Sequence, residues 1–399
     1  MRILLVNKFS YVTGGADRLF LDLSYWLRDH GHEVNVLSTA SAENEQVEGV
    51  FVPNSVTSRN RDSLSQAASA RVARDAVWNS DAYRAAQSLI DRLRPEVVHT
   101  FKLYPQLSVA PVVSAHRAGI PIVQSAVDYE FISANHFDHR GSSRDRIETR
   151  FRYRRLNETL HLVRGRLHLP RLSRIVTCSR FVAERYAAHG IEAEVAPNPV
   201  RPFDGRRPEW EDRSGAVFAA RLHPTKGVLD VIRAAELVPE VIFTIVGQGP
   251  LEAEVHRASG RLANLRYVGW LALPDLRKLF AGARVVLTPS TWEEPGALTS
   301  LEAMATATPL VSYRSGGLTE YVEDANAGLV VDHAPAQLAD AVRQISESRE
   351  RWNEFSDAGL EAASTAHSHD VYGRRYEAIY EDVVDSVASN RRSAVITSS

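Results

Sequence analysis

A chain of 399 residues exceeds one ordinary hydrophobic core, so two domains of roughly 150 to 200 residues each are expected. Hydrophobic content of 44%, charged content of 24% and a net charge of -2 describe a globular protein and exclude a general nucleic-acid binder. Cys178 stands alone, which excludes a disulfide framework and a cysteine-built metal site and leads to the expectation of a reducing, cytoplasmic setting.

The apolar run after Met1-Arg2 is too short for a signal segment, and no later run approaches a membrane span, so any membrane contact is expected to be peripheral. That run, Arg2 to Val6, reads as a strand ending at Asn7. A loop with Gly14-Gly15 follows, then a helical stripe of Ala16, Leu19, Phe20, Leu23 and Leu27, closed by Gly31, before His32 to Leu37 resumes a strand. A dinucleotide fold would place G-x-G-x-x-G directly after the first strand, and Gly14-Gly15 come too late for it. They either bring backbone N–H groups up to an anion at the helix N-terminus or form a plain turn.

Ala40 to Ser80 is polar, irregular and without an assigned role. A helix from Asp81 to Leu93, a strand over Val97 to His99, a helix near Val109 to Ala118 and a strand over Ile120 to Gln124 come next. His99 and Asp128 then fall at C-terminal strand edges, either as cleft residues or as a half-buried histidine and a surface aspartate. From Arg144 to Arg174 the chain is dense in arginine, with Ile147, Phe151, Leu156, Leu160, Val163 and Leu167 at helical spacing. A solvated helix face, contact with an anionic acceptor and contact with an anionic membrane surface are the three readings of this segment. His136, His139, His161 and His168 nearby lack metal-ligand spacing. A strand from Ile175 to Ser179 and a helix from Arg180 to Ala188 lead to a proline-rich linker between Ala196 and Asp212.

The second half restarts the alternation with a strand over Ala216 to Ala219. Arg221, Lys226 and Gly227 follow it, two cations and a glycine on a strand-to-helix loop, which suits a diphosphate. Val241 to Val246 reads as a strand, Gly247-Gln248-Gly249-Pro250 as a turn. Val285 to Thr288 is a buried strand, Pro289 to Gly296 a loop, and the apolar segment after Gly296 a helix. Glu294 sits just before that helix and Glu302 is the only charge within it. Either Glu294 caps the helix and Glu302 pairs with a nearby Arg or Lys, or both carboxylates bind a ligand. A strand over Pro309 to Tyr313, a turn at Ser315 to Gly317 and a last helix over Val371 to Val387 precede a Ser/Arg-rich tail, 388–399, expected to be disordered.

The two glutamates separated by seven other residues, the stretch from Asn7 through Gly14-Gly15 to Val34, and the Arg221/Lys226 pair together resemble the family 4 glycosyltransferases, and the resemblance runs from Asn7 to Val387. It implies an α/β GT-B fold: two Rossmann-like domains facing across a cleft, an acceptor-side domain over 1–200, a nucleotide-sugar domain over 213–370, and a helix over 371–387 returning to the first. The implied reaction is retaining transfer of a sugar from a nucleoside-diphosphate sugar to an unidentified acceptor, with no cofactor and no metal. Carried residue by residue, Arg221 and Lys226 meet the diphosphate, Glu294 the transferred sugar and Glu302 the ribose. Gly15, Gly249, Trp270, Pro295, Gly296, Ala297 and Leu298 fall on the donor side, and Gly14, Arg18, His99 and Asp128 on the acceptor or cleft side.

Alternatives are an epimerase or phosphorylase of the same fold, or a nucleotide-sugar-binding protein without catalysis. Where many relatives read His-Asp-Tyr this chain has Val127-Asp128-Tyr129. That departure implies a donor lacking a 6-hydroxyl, a contact supplied by another side chain such as His99, or a shifted loop.

Overall fold

The computed structural model describes residues 1–53, 66–134, 151–296 and 298–397. The chain divides into two compact units: Met1–Cys178, Ala183–Ala196 and Tyr372–Ser399 make the first, Ser179–Val182 and Pro197–Val371 the second.

In the first unit, β1 (Arg2–Val6), β2 (Glu33–Thr39), β3 (Gly49–Val52), β4 (Val97–Thr100), β5 (Ile122–Ser125), β6 (Arg174–Thr177) and β7 (Glu194–Val195) form one parallel sheet. Its order is β3-β2-β1-β4-β5-β6-β7, so the chain reverses its direction of travel between β1 and β4. Ile3, Leu4, Leu5 and Val6 are all buried, as an unbroken apolar strand must be when helices cover both faces of its sheet. The helix Ser80–Leu93 starts where the Asn79 side chain accepts from Asp81 N at 3.0 Å and Ala82 N at 2.9 Å, and ends at a left-handed Arg94.

Two sequence expectations are corrected here. The segment over 40–80 is not wholly irregular: it carries β3 and the helix Gln66–Val77. β3 is a short, half-buried edge strand and the helix is built largely on alanine, so neither has the long apolar pattern that marks an element in a sequence. The last helix runs over His369–Thr397, past Val387 into the segment expected to be disordered, because nothing between Val387 and Thr397 is a glycine or proline that would end it. Tyr372, Tyr376, Ile379, Tyr380 and Val383 form its buried stripe.

In the second unit, β8 (Ala216–Ala219), β9 (Phe243–Val246), β10 (Leu265–Tyr267), β11 (Val285–Thr288), β12 (Leu310–Tyr313) and β13 (Gly328–Val331) form a parallel sheet in the order β10-β9-β8-β11-β12-β13. Alternation along the strands splits its core. Phe218, Phe243, Ile245, Leu287 and Val311 fill one face, and Val217, Val246, Val286 and Leu310 meet Leu301, Met304 and Leu318 on the other. The reversal lies between β8 and β11, and the C-terminal ends of strands flanking such a reversal are where open α/β sheets receive ligands. Among the described residues no helix is long and apolar enough to cross a membrane.

Candidate active site

Loops from β8, β11 and β12, three adjacent strands, meet at the reversal of the second sheet. The β8 loop makes a 3-10 turn over Pro224–Lys226, then passes through Gly227 at φ +75° into the helix Val228–Leu237. A Cβ on Gly227 would lie 1.9 Å from the Pro289 carbonyl oxygen of the β11 loop, and Thr291 N donates to Thr225 O at 2.9 Å. Glycine is therefore required twice over, by the backbone angle and by the neighbour. Gly227→Ala is expected to cost about 1–3 kcal/mol, which for a unit of this size lowers the melting temperature by roughly 2–4 °C per kcal/mol. An unchanged transition in scanning calorimetry would show that the two loops do not depend on this contact.

Glu294 is buried, and its Oε1 accepts from Lys226 Nζ and from Ser290 Oγ at 2.7 Å. Its backbone is held by the β12 loop: Gly317 N donates to Glu294 O at 2.8 Å, and a Cβ on Gly317 would lie 2.1 Å from Pro295 O. Lys226 Nζ also sits 5.3 Å from the Trp292 ring centroid, a cation–π distance. A cavity of about 40 Å³ opens here, lined by Lys226, Thr288, Ser290, Glu294, Thr299 and Leu318 among others. Arg221, at the start of the same β8 loop, is exposed, and its side chain makes no hydrogen bond or ion pair among the described residues. Two cations, one committed to a buried carboxylate and one facing solvent, thus stand on one loop.

The remaining donor-side residues are distributed more widely. Gly249 lies in the β9 loop against the β8 loop, where Leu222 N donates to Gln248 O at 2.9 Å and Leu251 N to Leu222 O at 3.0 Å. Pro295 is buried, Gly296 half-buried, and Leu298 opens the helix Leu298–Ala305. Ala297 lies outside the described residues. Trp270 is 66% exposed beyond β10, three strands from β11, and no described contact brings it to Lys226 or Glu294.

Glu302, buried within that helix, takes the pairing that the sequence offered as one of two readings. Its Oε2 accepts from Nε of Arg277, itself buried on the helix Leu273–Gly282, while the Arg277 Nη atoms donate to Arg201 O at 2.8 Å and Pro202 O at 3.1 Å. Sequence reasoning missed Arg277. It stands between Asp275 and Lys278 as one more charge on an amphipathic helix, and no spacing marks it.

In the first unit, Gly14 and Gly15 are exposed at the N-terminus of the helix Gly15–Asp29, with Gly14 extended and making no side-chain cap. The helix's first turn carries a buried carboxylate: Asp17 accepts from Asn7 Nδ2 at 2.9 Å and from Thr13 Oγ1. Arg18 Nε lies 3.5 Å from Asp22. Asp128 is half-buried and ion-paired to Lys102, whose Nζ also lies 3.7 Å from the buried Glu130. Burial, the largest influence on Lys102, pulls its pKa down, but Asp128 and Glu130 outweigh it and hold the ammonium above its ordinary value. Lys8 moves the opposite way, lowered by burial and by Lys102.

His99 lies inside the first unit, neither exposed nor half-buried. It is fully buried, with Nδ1 2.6 Å from Tyr380 Oη and Nε2 2.9 Å from Ser125 Oγ, and Ser125 Oγ meets Tyr376 Oη at 2.6 Å. The last helix therefore closes over it, and burial lowers its pKa to about 3. Both ring nitrogens are engaged.

Of the arginine-rich segment, residues 135–150 lie outside the description, and with them Arg144, Arg146 and Arg150. The helix Phe151–Val163 follows, with Arg155 and Leu162 exposed, and a π-helical turn over Arg164–His168 continues it, with Arg166 and Leu167 exposed and Arg164 fully buried. No three His, Cys, Asp or Glu side chains among the described residues group as a metal site.

Residues 203–362 match the family model for glycosyl transferases group 1, and residues 14–200 match that of a glycosyl transferase 4-like domain. The D-inositol 3-phosphate glycosyltransferase of a Nocardioides species is 31% identical over 204 residues, which cover 43% of this chain and 44% of that protein. The alpha-maltose-1-phosphate synthase of Mycolicibacterium smegmatis is 32% identical over 167 residues, 38% of this chain and 43% of that protein. The chain spans about half the length of the curated relatives it matches. Among solved structures, Anabaena HepE in complex with UDP and glucose superposes with a TM-score of 0.69 at 18% identity, covering 96% of this chain and 100% of that one. Sucrose-phosphate synthase from Thermosynechococcus elongatus gives 0.71 at 15% identity, covering 96% and 99%. The two parallel sheets and these superpositions define a GT-B fold, and with both halves of the sequence matched, the chain belongs to the glycosyl transferases group 1 family, its first half a glycosyl transferase 4-like domain.

Proposed function

We propose that this protein transfers a sugar from a nucleoside-diphosphate sugar to an acceptor, with retention at the anomeric carbon, without a metal ion and in the cytoplasm. The observation that supports it most is the ion pair of Lys226 with the buried Glu294 at the reversal of the second sheet, on the same loop that carries the exposed Arg221. That HepE was solved with UDP and glucose bound supports the donor class.

The difficult step is departure of a diphosphate while positive charge builds on the sugar. Arg221 and Lys226 stabilise the growing negative charge on the leaving group, as preorganised cations do without reorganising at the moment of reaction. The bond from the anomeric carbon to the diphosphate breaks, the acceptor oxygen bonds to the same face, and the acceptor proton passes to the departing phosphate oxygen. Glu294, held by Lys226 and Ser290, accepts hydrogen bonds from hydroxyls of the transferred sugar, and Glu302 accepts from the ribose hydroxyls.

Assays with labelled UDP, GDP, ADP and dTDP sugars test this reading. Sugar transferred to an acceptor supports it, whereas an isomerised donor identifies an epimerase and binding without turnover a binding protein. Ligation by the correct donor raises the melting temperature by mass action, which ranks the nucleotides before the acceptor is known.

Glu302→Ala is expected to weaken nucleoside-diphosphate binding and to act mainly on the Michaelis constant, since ribose is held alike in ground and transition states. Unchanged calorimetric affinity in the folded variant removes the ribose role. Val127 is expected to favour a donor without a 6-hydroxyl, because a valine facing an unpaired buried hydroxyl costs about 1–3 kcal/mol. A higher kcat/KM for a hexose donor than for its 6-deoxy analogue on the same nucleotide refutes that preference.

A further inference from the structure

Arg277 has a geometry that a solvent-facing helix charge does not need. It is 8% exposed, and its guanidinium is pinned at three points: Nε on Glu302, one Nη on Arg201 O at 2.8 Å and the other on Pro202 O at 3.1 Å. Those points lie on two stretches far apart in sequence, the Arg201-Pro202 segment and the helix Leu298–Ala305. A planar fork held on both sides has no rotational freedom left, so the direction from which it meets Glu302 is set by backbone and not by side-chain choice.

We propose that Arg277 is a positioning residue that orients the Glu302 carboxylate for recognition of a ribose diol, and so makes the protein prefer ribonucleotide over 2′-deoxyribonucleotide donors. The proposal rests on the reading of Glu302 as the ribose-binding group. Glu302 is 3% exposed inside an apolar helix, and Arg277 meets it there as a buried, directed cation. A carboxylate has about four lone-pair sites, so it holds the Nε–H on Oε2 while accepting from further donors. A single N–H from a guanidinium fixed on both sides sets where Oε2 lies, and a diol needs that oxygen in place to bind through both hydroxyls. A lysine supplies the charge without the fixed direction.

The test measures binding of UDP, GDP and ADP and of their 2′-deoxy counterparts by calorimetry, in the wild type, Arg277→Lys and Arg277→Gln, with near-ultraviolet circular dichroism to establish folding. For whichever nucleotide binds best, the wild type is expected to favour the ribo form by about tenfold or more. In Arg277→Lys that preference is expected to fall to about twofold or less, with affinity for the 2′-deoxy nucleotide nearly unchanged. Arg277→Lys retains a cation beside Glu302, so it keeps the test valid if Arg277→Gln fails to fold. A folded Arg277→Lys variant with the full ribo preference overturns the positioning role and leaves Arg277 as a strut between segments. A wild type that binds the nucleotides without any ribo preference overturns the ribose reading of Glu302, and the positioning role with it. The two failures are thus read from different proteins.

Discussion

Lys226→Ala is expected to lower the turnover number by about a hundredfold or more, because in the proposed reaction Lys226 faces the leaving diphosphate, whose charge grows in the transition state. Lys226 also carries a structural duty. It is the cation paired with Glu294, whose side chain is only 7% exposed, so its removal leaves a buried carboxylate held by Ser290 and short of positive charge. Some loss of stability is therefore expected alongside the loss of turnover. Arg221→Ala separates the two effects. Arg221 is exposed and unpaired among the described residues, so its removal is expected to leave the melting temperature in place while turnover again falls by about a hundredfold. Steady-state kinetics on both variants, with calorimetry to establish folding, are the measurement. Turnover near the wild-type value in either would remove the leaving-group role.

Acidification is expected to destabilise the first unit before carboxylate protonation becomes important. His99 and His168 are fully buried, and both pKa values are lowered to about 3, by burial for His99 and by burial together with the nearby Arg164 for His168. In the unfolded chain each imidazole takes up a proton near its ordinary value of about 6.5. Between pH 6.5 and about 3 the unfolded state thus binds more protons than the folded one, and folding stability falls as pH falls. Above pH 6.5 these two groups contribute no slope. Below it each adds up to about 1.4 kcal/mol per pH unit, large against a domain stability of about 5–15 kcal/mol. Urea unfolding at pH 7.5, 6 and 5 (chosen as about one to one and a half units apart), followed by a probe in the first unit, should show the midpoint dropping below pH 6.5. A midpoint constant over that range would mean that neither histidine is excluded from protonation.

The alternation of apolar runs with amphipathic stripes determined, from sequence alone, that the chain forms parallel α/β sheets, since strand and helix periods are local properties of consecutive residues. Sequence also placed Lys226 and Glu294 correctly on strand-to-helix loops, because cations, glycine and proline directly after an apolar strand carry their own backbone signal. What no local pattern encodes is which side chain meets which. Only the order β10-β9-β8-β11-β12-β13 makes the loops after β8 and β11 neighbours, and so joins Lys226 to a glutamate 68 positions away. His99 looked like an edge residue at the end of its strand until Tyr380, 281 positions later, closed over it. Glu302 left a choice between ligand and ion pair that turned on Arg277, 25 positions earlier and indistinguishable by sequence from a solvated helix charge. In each case the state of the group, charged or neutral, paired or open, follows from desolvation and from partners brought in by distant segments, and those are set when the sheet and its covering helices pack.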